Sequence, residues 1–262
     1  MVRLLHISDI HFGCENRVAV EAARDYAANH PFDALAVTGD VTQMGRPPEF
    51  RAAAAWLASM PIARIGTPGN HDTPYFNLFD RLVRPFARYA EAIGPKDRCR
   101  LTGEGLHIEA INTARGAQVR ANWSKGAVRA SDARRAVAAM EDGGRDTLRV
   151  VICHHPLMEV TGGPMTGRVR GGRRASQILA EGGVDLILTG HVHMPFAHHL
   201  PFGDERTFAV GAGTLSLRER GSTAGFNVIE ADERMIQITA LGWSGSAFEP
   251  QRSWGFDRRS AH

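Results

Sequence analysis

The chain opens on a mostly apolar run, Val2-Arg3-Leu4-Leu5-His6-Ile7, which breaks into the polar stretch Ser8-Asp9-Ile10-His11. Short apolar runs bounded by turn residues predict buried strands. The pattern recurs at Ala34–Val37, which leads into Thr38-Gly39-Asp40. It recurs again at Ile62–Ile65, which passes through Gly66-Thr67-Pro68 into Gly69-Asn70-His71-Asp72. Helical spacings fill the intervals. Asn16 is a suitable N-cap, and Val18, Ala22, Ala23, Tyr26 and Ala27 form the packing face of a helix that must end before Pro31. Pro47 and Pro48 open a second helix containing Phe50, Ala54 and Leu57, and Pro61 closes it. Strands alternating with helices predict right-handed parallel crossovers, which set three strand ends and their polar turns along one sheet edge.

Tyr75–Ile93 carries helical spacing in Phe76, Phe79, Leu82, Val83, Phe86 and Tyr89, interrupted at Pro85. It predicts a helical excursion, about residues 75–95, that packs on the core and flanks the turns. Leu106–Ile111 predicts a strand ending in Asn112-Thr113, and Ala114–Gly126 is polar and loop-like. Ser131 caps a helix running through Met140, and Leu148–Ile152 is a strand ending in Cys153-His154-His155-Pro156. Arg168–Arg174 is a Gly/Arg-rich loop before a short helix that ends at Gly182-Gly183. Val184–Leu188 is a strand ending in Thr189-Gly190-His191-Val192-His193. Arg206–Val210, Phe226–Ala231 and Arg234–Leu241 predict antiparallel strands. The tail, about 248–262 with Trp254 and Phe256, either folds back on the body or mediates a homo-oligomer. Without repeats, low-complexity tracts or a linker, a single domain over residues 1–262 is expected.

Composition narrows the classes. A chain of 262 residues with 43% hydrophobic and 23% charged positions is an ordinary globular protein. Its net charge of +3 permits an anionic substrate without indicating a nucleic-acid polymer as partner. Cys14, Cys99 and Cys153 cannot form a closed disulfide set or a zinc finger, which favours a reducing compartment. Residues Met1–Ile10 carry Arg3, His6 and Asp9 where a signal peptide would be apolar, and no run is long enough to span a membrane. A cytoplasmic protein without a membrane partner is expected.

The turns carry the chemistry. Asp9-x-His11, Gly39-Asp40, Asn70-His71, His154-His155 and His191-x-His193 each follow an apolar strand. Imidazole and carboxylate donors suit borderline metals such as zinc, manganese and iron. Alternate residues of an extended segment point the same way, so Asp9 and His11, or His191 and His193, can share one ion. The donors exceed what one four-coordinate zinc needs, and two ions bridged by a carboxylate fit better. His6, His30, His107, His198, His199 and His262 receive no role.

This ordered set resembles that of the calcineurin-like metallophosphoesterases: Asp-x-His, Gly-Asp, Gly-Asn-His-Asp, a His after a later strand, and Gly-His-x-His, over about Leu4 to His193. Ser8–Gly13, Thr38–Phe50 and Asn112–Arg115 further resemble a bacterial, cyclic-nucleotide-phosphodiesterase-like branch. The resemblance implies an α/β fold, a four-layer αββα sandwich of two mixed sheets flanked by helices. It also implies two metal ions (manganese, iron or zinc), one held by Asp9, His11 and His193, the other by Asn70, His154 and His191, with Asp40 between them. His155 would be an outer-shell, structural or substrate-side residue. His71 would stabilise the transition state or protonate the leaving oxygen, with Asp72 either orienting it or stabilising the turn.

The expected reaction is hydrolysis of small phosphodiesters, cyclic nucleotides among them, by attack of a metal-bound hydroxide on phosphorus. A phosphomonoesterase on the same metal core is the alternative. A nuclease fits less well for want of a capping domain and of charge, and a non-catalytic scaffold, as the retromer subunit of this fold is, predicts eroded ligands. For substrate binding, Arg115 is placed at a strand end, while the Arg168–Arg174 loop is a phosphate site or a solvated basic loop.

Overall fold

The computed structural model describes residues 1–94, 99–119, 122–141, 143–144, 146–159 and 168–259. Residues 120–121 of the 114–126 loop, residue 95 at the end of the excursion, and the end of the tail with His262 lie outside them.

The first half alternates as the hydrophobic pattern requires: β1 (Val2–Ile7), α1 (Arg17–Asn29), β2 (Ala34–Val37), α2 (Pro47–Ala58) and β3 (Arg64–Gly66). Then come α3 (Leu78–Val83), α4 (Ala87–Ala92), β4 (Arg100–Gly103), β5 (Leu106–Ala110), α5 (Ala130–Ala139) and β6 (Leu148–Ile152). The remainder is α6 (Gly172–Glu181), β7 (Leu186–Thr189), β8 (Phe196–His199), β9 (Phe208–Gly211), β10 (Gly225–Ala231), β11 (Met235–Trp243) and β12 (Phe248–Asp257). Two six-stranded sheets result, ordered β12-β11-β10-β1-β2-β3 and β4-β5-β6-β7-β9-β8. Both are mixed, with β1-β2-β3 parallel in one and β5-β6-β7-β9 parallel in the other.

Strand periodicity builds the layers. In β1, Leu4 joins the cluster between the sheets with Ala36, Ile108, Val150, Ile152 and Leu188. Its neighbours Leu5 and Ile7 join the cluster with Val20 and Ala23 of α1 and Phe50, Trp56 and Leu57 of α2. On the far side, Val151 and Ile187 pack against Ala133 and Ala136 of α5 and Ala175 and Leu179 of α6. This is the expected αββα sandwich. Each fully buried Leu or Ile contributes about 1.5–3 kcal/mol.

Several local expectations change. In α1 the buried face is Ala19, Val20, Ala23 and Ala27, while Val18 is 63% exposed. Alanines mark a helix face weakly, so the larger Val18 misdirected the assignment. The cap of α5 is not Ser131. The helix starts at Ala130, and Asp132 accepts from the Arg129 N–H at 3.3 Å. Pro85 splits the excursion into α3 and α4. Phe86 and Tyr89 reach the core, but Phe76, Phe79, Leu82 and Val83 are exposed, so only its second half packs as expected. Arg173 and Arg174 lie on α6 rather than in a loop. The Arg206–Val210 segment forms β9, which is antiparallel to β8 but parallel to β7. The tail folds back as β12, antiparallel to β11. Among the described residues, no helix is long and apolar enough to cross a membrane.

His6 on β1 is fully buried, with Nε2 3.0 Å from Thr38 Oγ1 and Asn227 Nδ2 3.3 Å from its Nδ1. Burial pushes this imidazole down to about 3, against the pull of Asp9. The unfolded chain therefore takes a proton near 6.5 that the folded chain refuses. Stability present above that pH is lost as pH falls toward 3. His6→Gln should flatten the pH dependence of the unfolding free energy in this window by about 1.4 kcal/mol per pH unit at most, measured by urea unfolding. An unchanged slope would contradict a neutral, buried His6.

Candidate metal centre

Every predicted turn lies at the carboxyl end of a parallel strand, and most bend in an uncommon way. Asp9 (φ 52°), His11 (52°), Asp40 (51°), His191 (69°) and His193 (60°) all adopt the left-handed region. Such conformations cost on the order of 1–3 kcal/mol for residues with a Cβ and concentrate where surrounding structure holds them for function. Strand alternation therefore does not explain the shared aim of Asp9 and His11. β1 ends at Ile7, and the paired bends turn both side chains inward. Backbone bonds hold them, with Asp9 N–H donating to Gly39 O and His11 N–H to Asp40 O, both at 3.0 Å.

The side chains converge. His193 Nε2 lies 3.1 Å from Asp9 Oδ1, and His11 Nε2 lies 3.7 Å from the same oxygen and 3.3 Å from His193 Nε2. Asp40 Oδ2 is 3.2 Å from His154 Nε2 and 3.9 Å from His11 Nε2, so it faces both sides of the cluster. Potential donor atoms within 4.8 Å of one another group Asp9 with His11 and His193, Asp40 with His11 and His71, Asp9 with Asp40 and His154, and His154 with His155 and His191. His11 Nδ1 and Asn70 Oδ1 are buried without a hydrogen-bond partner. Unsatisfied buried oxygen and nitrogen atoms are costly unless something binds them. Nitrogen and oxygen donors facing one another in this way fit the metal ions that the motif set implies.

The backs of three of these imidazoles are fastened. His154 Nδ1–H donates to Thr38 O, His193 Nδ1–H to Arg218 O, and His71 Nδ1–H to Gln43 O, each at 2.7 Å, with tautomers assigned from these carbonyl partners. Such bonds leave the opposite nitrogen with its lone pair for a ligand. Asp9 Oδ2 accepts from Ser8 Oγ (2.6 Å) and His191 N–H (2.8 Å), and Asp40 Oδ1 accepts from His71 N–H (2.7 Å). One oxygen of each carboxylate is thus left facing the cluster.

Charge follows the geometry. Burial pushes His11 and His191 down to about 3. Burial opposes ionisation of Asp9 and Asp40, yet the facing imidazoles hold both carboxylates below their ordinary range. Burial opposes a charge on His154 too, but Asp40 and Asp9 raise it to about 9. Neutral imidazole and ionised carboxylate are the ligating forms, and a bound cation would replace the His154 proton. Cys153 offers no competing thiolate, since burial pushes its thiol up to about 12.

Three proposed site residues bond to the turns around them. Asp72 does not touch the His71 ring. Its carboxylate accepts from Gly69 N–H, Thr42 N–H and Thr42 Oγ1–H at 2.9 Å, so it fastens the turn, and the Gln43 carbonyl orients His71 instead. Burial and the nearby Asp40 charge push Asp72 up to about 7. His155 is buried with Nδ1 2.9 Å from Thr113 Oγ1 and Nε2 2.7 Å from Ser124 O, so neither nitrogen is left for substrate. Arg115 donates from Nη1 to Asn112 O and Ala114 O of its own turn. Arg218 was missed. Its Nη1 stands 3.1 Å from His71 Nε2.

A family model described as calcineurin-like phosphoesterase matches residues 2–195. The chain belongs to this family, whose chemistry supports a hydrolase. No curated protein matches its sequence. Purple acid phosphatase PPD1 from seeds of yellow lupin (Lupinus luteus) superposes with a TM-score of 0.69 at 12% identity. The match covers 98% of this chain and 54% of the lupin protein, so the chain spans about half that protein's length. GAP50, the anchor in the inner membrane complex of Plasmodium, gives 0.64 at 13% identity over 99% and 89% of the two chains. Vps29 of Chaetomium thermophilum gives 0.51 at 9% identity over 98% of each. Likeness at such identities speaks for the fold alone.

Gly69 tests the packing of the centre. A Cβ there would overlap Asp40 Oδ1 and the Asp40 amide. Gly69→Ala should displace that carboxylate and lower the metal content of the purified protein at least about tenfold, read by elemental analysis. Full metal retention would contradict the placement of Asp40.

Proposed function

We propose that this chain is a dinuclear metal-dependent phosphoesterase acting on small phosphodiesters, cyclic nucleotides among them. The observation that carries the reading is the convergence of buried Asp9, His11, Asp40, His154 and His193 donor atoms, set beside a His71 held ready by the Gln43 carbonyl. Asp9, His11 and His193 would hold one ion, and Asn70, His154 and His191 the other, with Asp40 Oδ2 shared. Manganese, iron and zinc all suit these donors. When bound, such a pair lowers the pKa of water and offsets charge developing on phosphoryl oxygens.

The chain's own residues supply the rest. The His71 ring meets that of His11 edge-on, 4.8 Å between centroids, without occupying a place in either proposed ligand set. With Nδ1–H held on the Gln43 carbonyl, Nε2 would take up a proton from solvent and give it to the leaving oxygen as the phosphorus–oxygen bond breaks. The diester preference is supported by the branch resemblance of Ser8–Gly13, Thr38–Phe50 and Asn112–Arg115. A monoesterase on the same core is the second reading. A scaffold shares the fold, but the converging Asp and His donors favour catalysis. Three unpaired cysteines agree with a cytoplasmic setting.

His71→Ala should lower kcat about 10²- to 10⁴-fold while metal content stays at the wild-type level. Unchanged turnover would remove the proton-transfer role. Paired assays with bis-p-nitrophenyl phosphate and p-nitrophenyl phosphate should favour the diester in kcat/KM. A monoester preference would replace the diesterase reading with its alternative.

A further inference from the structure

Arg218 belongs to the segment between β9 and β10, which the parallel pairing of β9 with β7 brings to the same sheet edge as the metal-ligand turns. That segment is tightly pinned. Thr214 Oγ1–H and Leu215 N–H donate to Asp9 O at 2.6 and 3.3 Å, and Leu217 N–H donates to Cys14 O at 3.0 Å. Arg218 N–H donates to Ser216 Oγ, and Arg218 O accepts from His193 Nδ1–H. The residue is therefore fixed by its main chain against one candidate ligand. Its side chain reaches the His71 turn, where Nη1 meets His71 Nε2 at 3.1 Å and Gln43 Oε1 at 3.4 Å. Among the described residues, these side-chain partners include no carboxylate. A permanent, half-buried cation is thus matched only by an imidazole lone pair and an amide oxygen. Both are poorer partners than a phosphate oxygen, which a guanidinium fork engages with charge assistance.

We infer that Arg218 is the phosphate clamp of the centre: its guanidinium takes a non-bridging phosphate oxygen of the substrate and, in doing so, leaves His71 Nε2. The arriving anion thereby uncovers the nitrogen that proton transfer needs. This rests on the phosphoesterase reading above but concerns a residue outside the metal-ligand motifs.

The test is calorimetric titration of the metal-loaded full chain with inorganic phosphate, comparing wild type, Arg218→Gln and Arg218→Lys. The Gln variant should bind phosphate about 10- to 100-fold more weakly, with partial recovery in the Lys variant and metal content unchanged in both. In ester hydrolysis the loss should appear mainly in KM. Phosphate affinity within about twofold of wild type in the Gln variant, with metals retained, would overturn the inference. Should that variant shed metal, the Arg218 Nε–H resonance of the wild type is the readout: a shift on phosphate addition supports the clamp, and a stationary signal overturns it. The two readings fail separately. Phosphate held through Arg218 without ester hydrolysis would sink the hydrolase reading alone, whereas hydrolysis with unaltered phosphate affinity would sink only the clamp.

Discussion

The contact between Asp40 and His154 joins the two halves of the molecule. Asp40 follows β2 in one sheet and His154 follows β6 in the other, yet Oδ2 and Nε2 are 3.2 Å apart with both residues buried. A second bond crosses the same gap, from His154 Nδ1–H to Thr38 O. The apolar layer between the sheets sets this distance. Leu4, Ala36, Ile152 and Leu188 pack together there, and close-packed interiors resist drift of the strand ends. The centre in turn concentrates carboxylates, imidazoles and left-handed turns at one place, all of which cost stability in the absence of a bound cation.

Glycine makes the close approach feasible. Gly190 leaves room that Ser8 Oγ and Asp9 Oδ2 fill, and Gly69 does the same for Asp40. Neither has the positive φ that usually explains a glycine at a turn. Their role is spatial, since the Asp9 and Asp40 carboxylates lie where a Cβ would stand.

Much of this was legible in the residues. β1, β2 and β6 announce themselves as apolar runs, and their polar ends carry motifs whose order is specific, so the sandwich and the convergence of Asp9, His11, Asp40, His71, His154 and His193 could be anticipated. What escaped was decided by tertiary context. Asp9 and His11 share an aim because of backbone bends that only the Gly39–Asp40 carbonyls explain. His155 differs from His154 only in which ring nitrogens its neighbours occupy. Arg218 lies outside every motif, and its place follows from β9 pairing in parallel with β7 as well as antiparallel with β8, which brings the next segment to the edge that carries the motif turns. The exposed aromatics of the excursion, Phe76 and Phe79, show the same limit, because helical spacing marks an apolar face without saying what covers it.

The proposed two-ion site requires Asp40 as its bridge. Counting bound metal by elemental analysis, after dialysis against manganese or zinc, tests this most directly when wild type and Asp40→Ala are compared. About two ions are expected per wild-type chain, and fewer than one in the variant because the bridge would serve both. Fewer than two ions in the wild type, or two retained without Asp40, would contradict it.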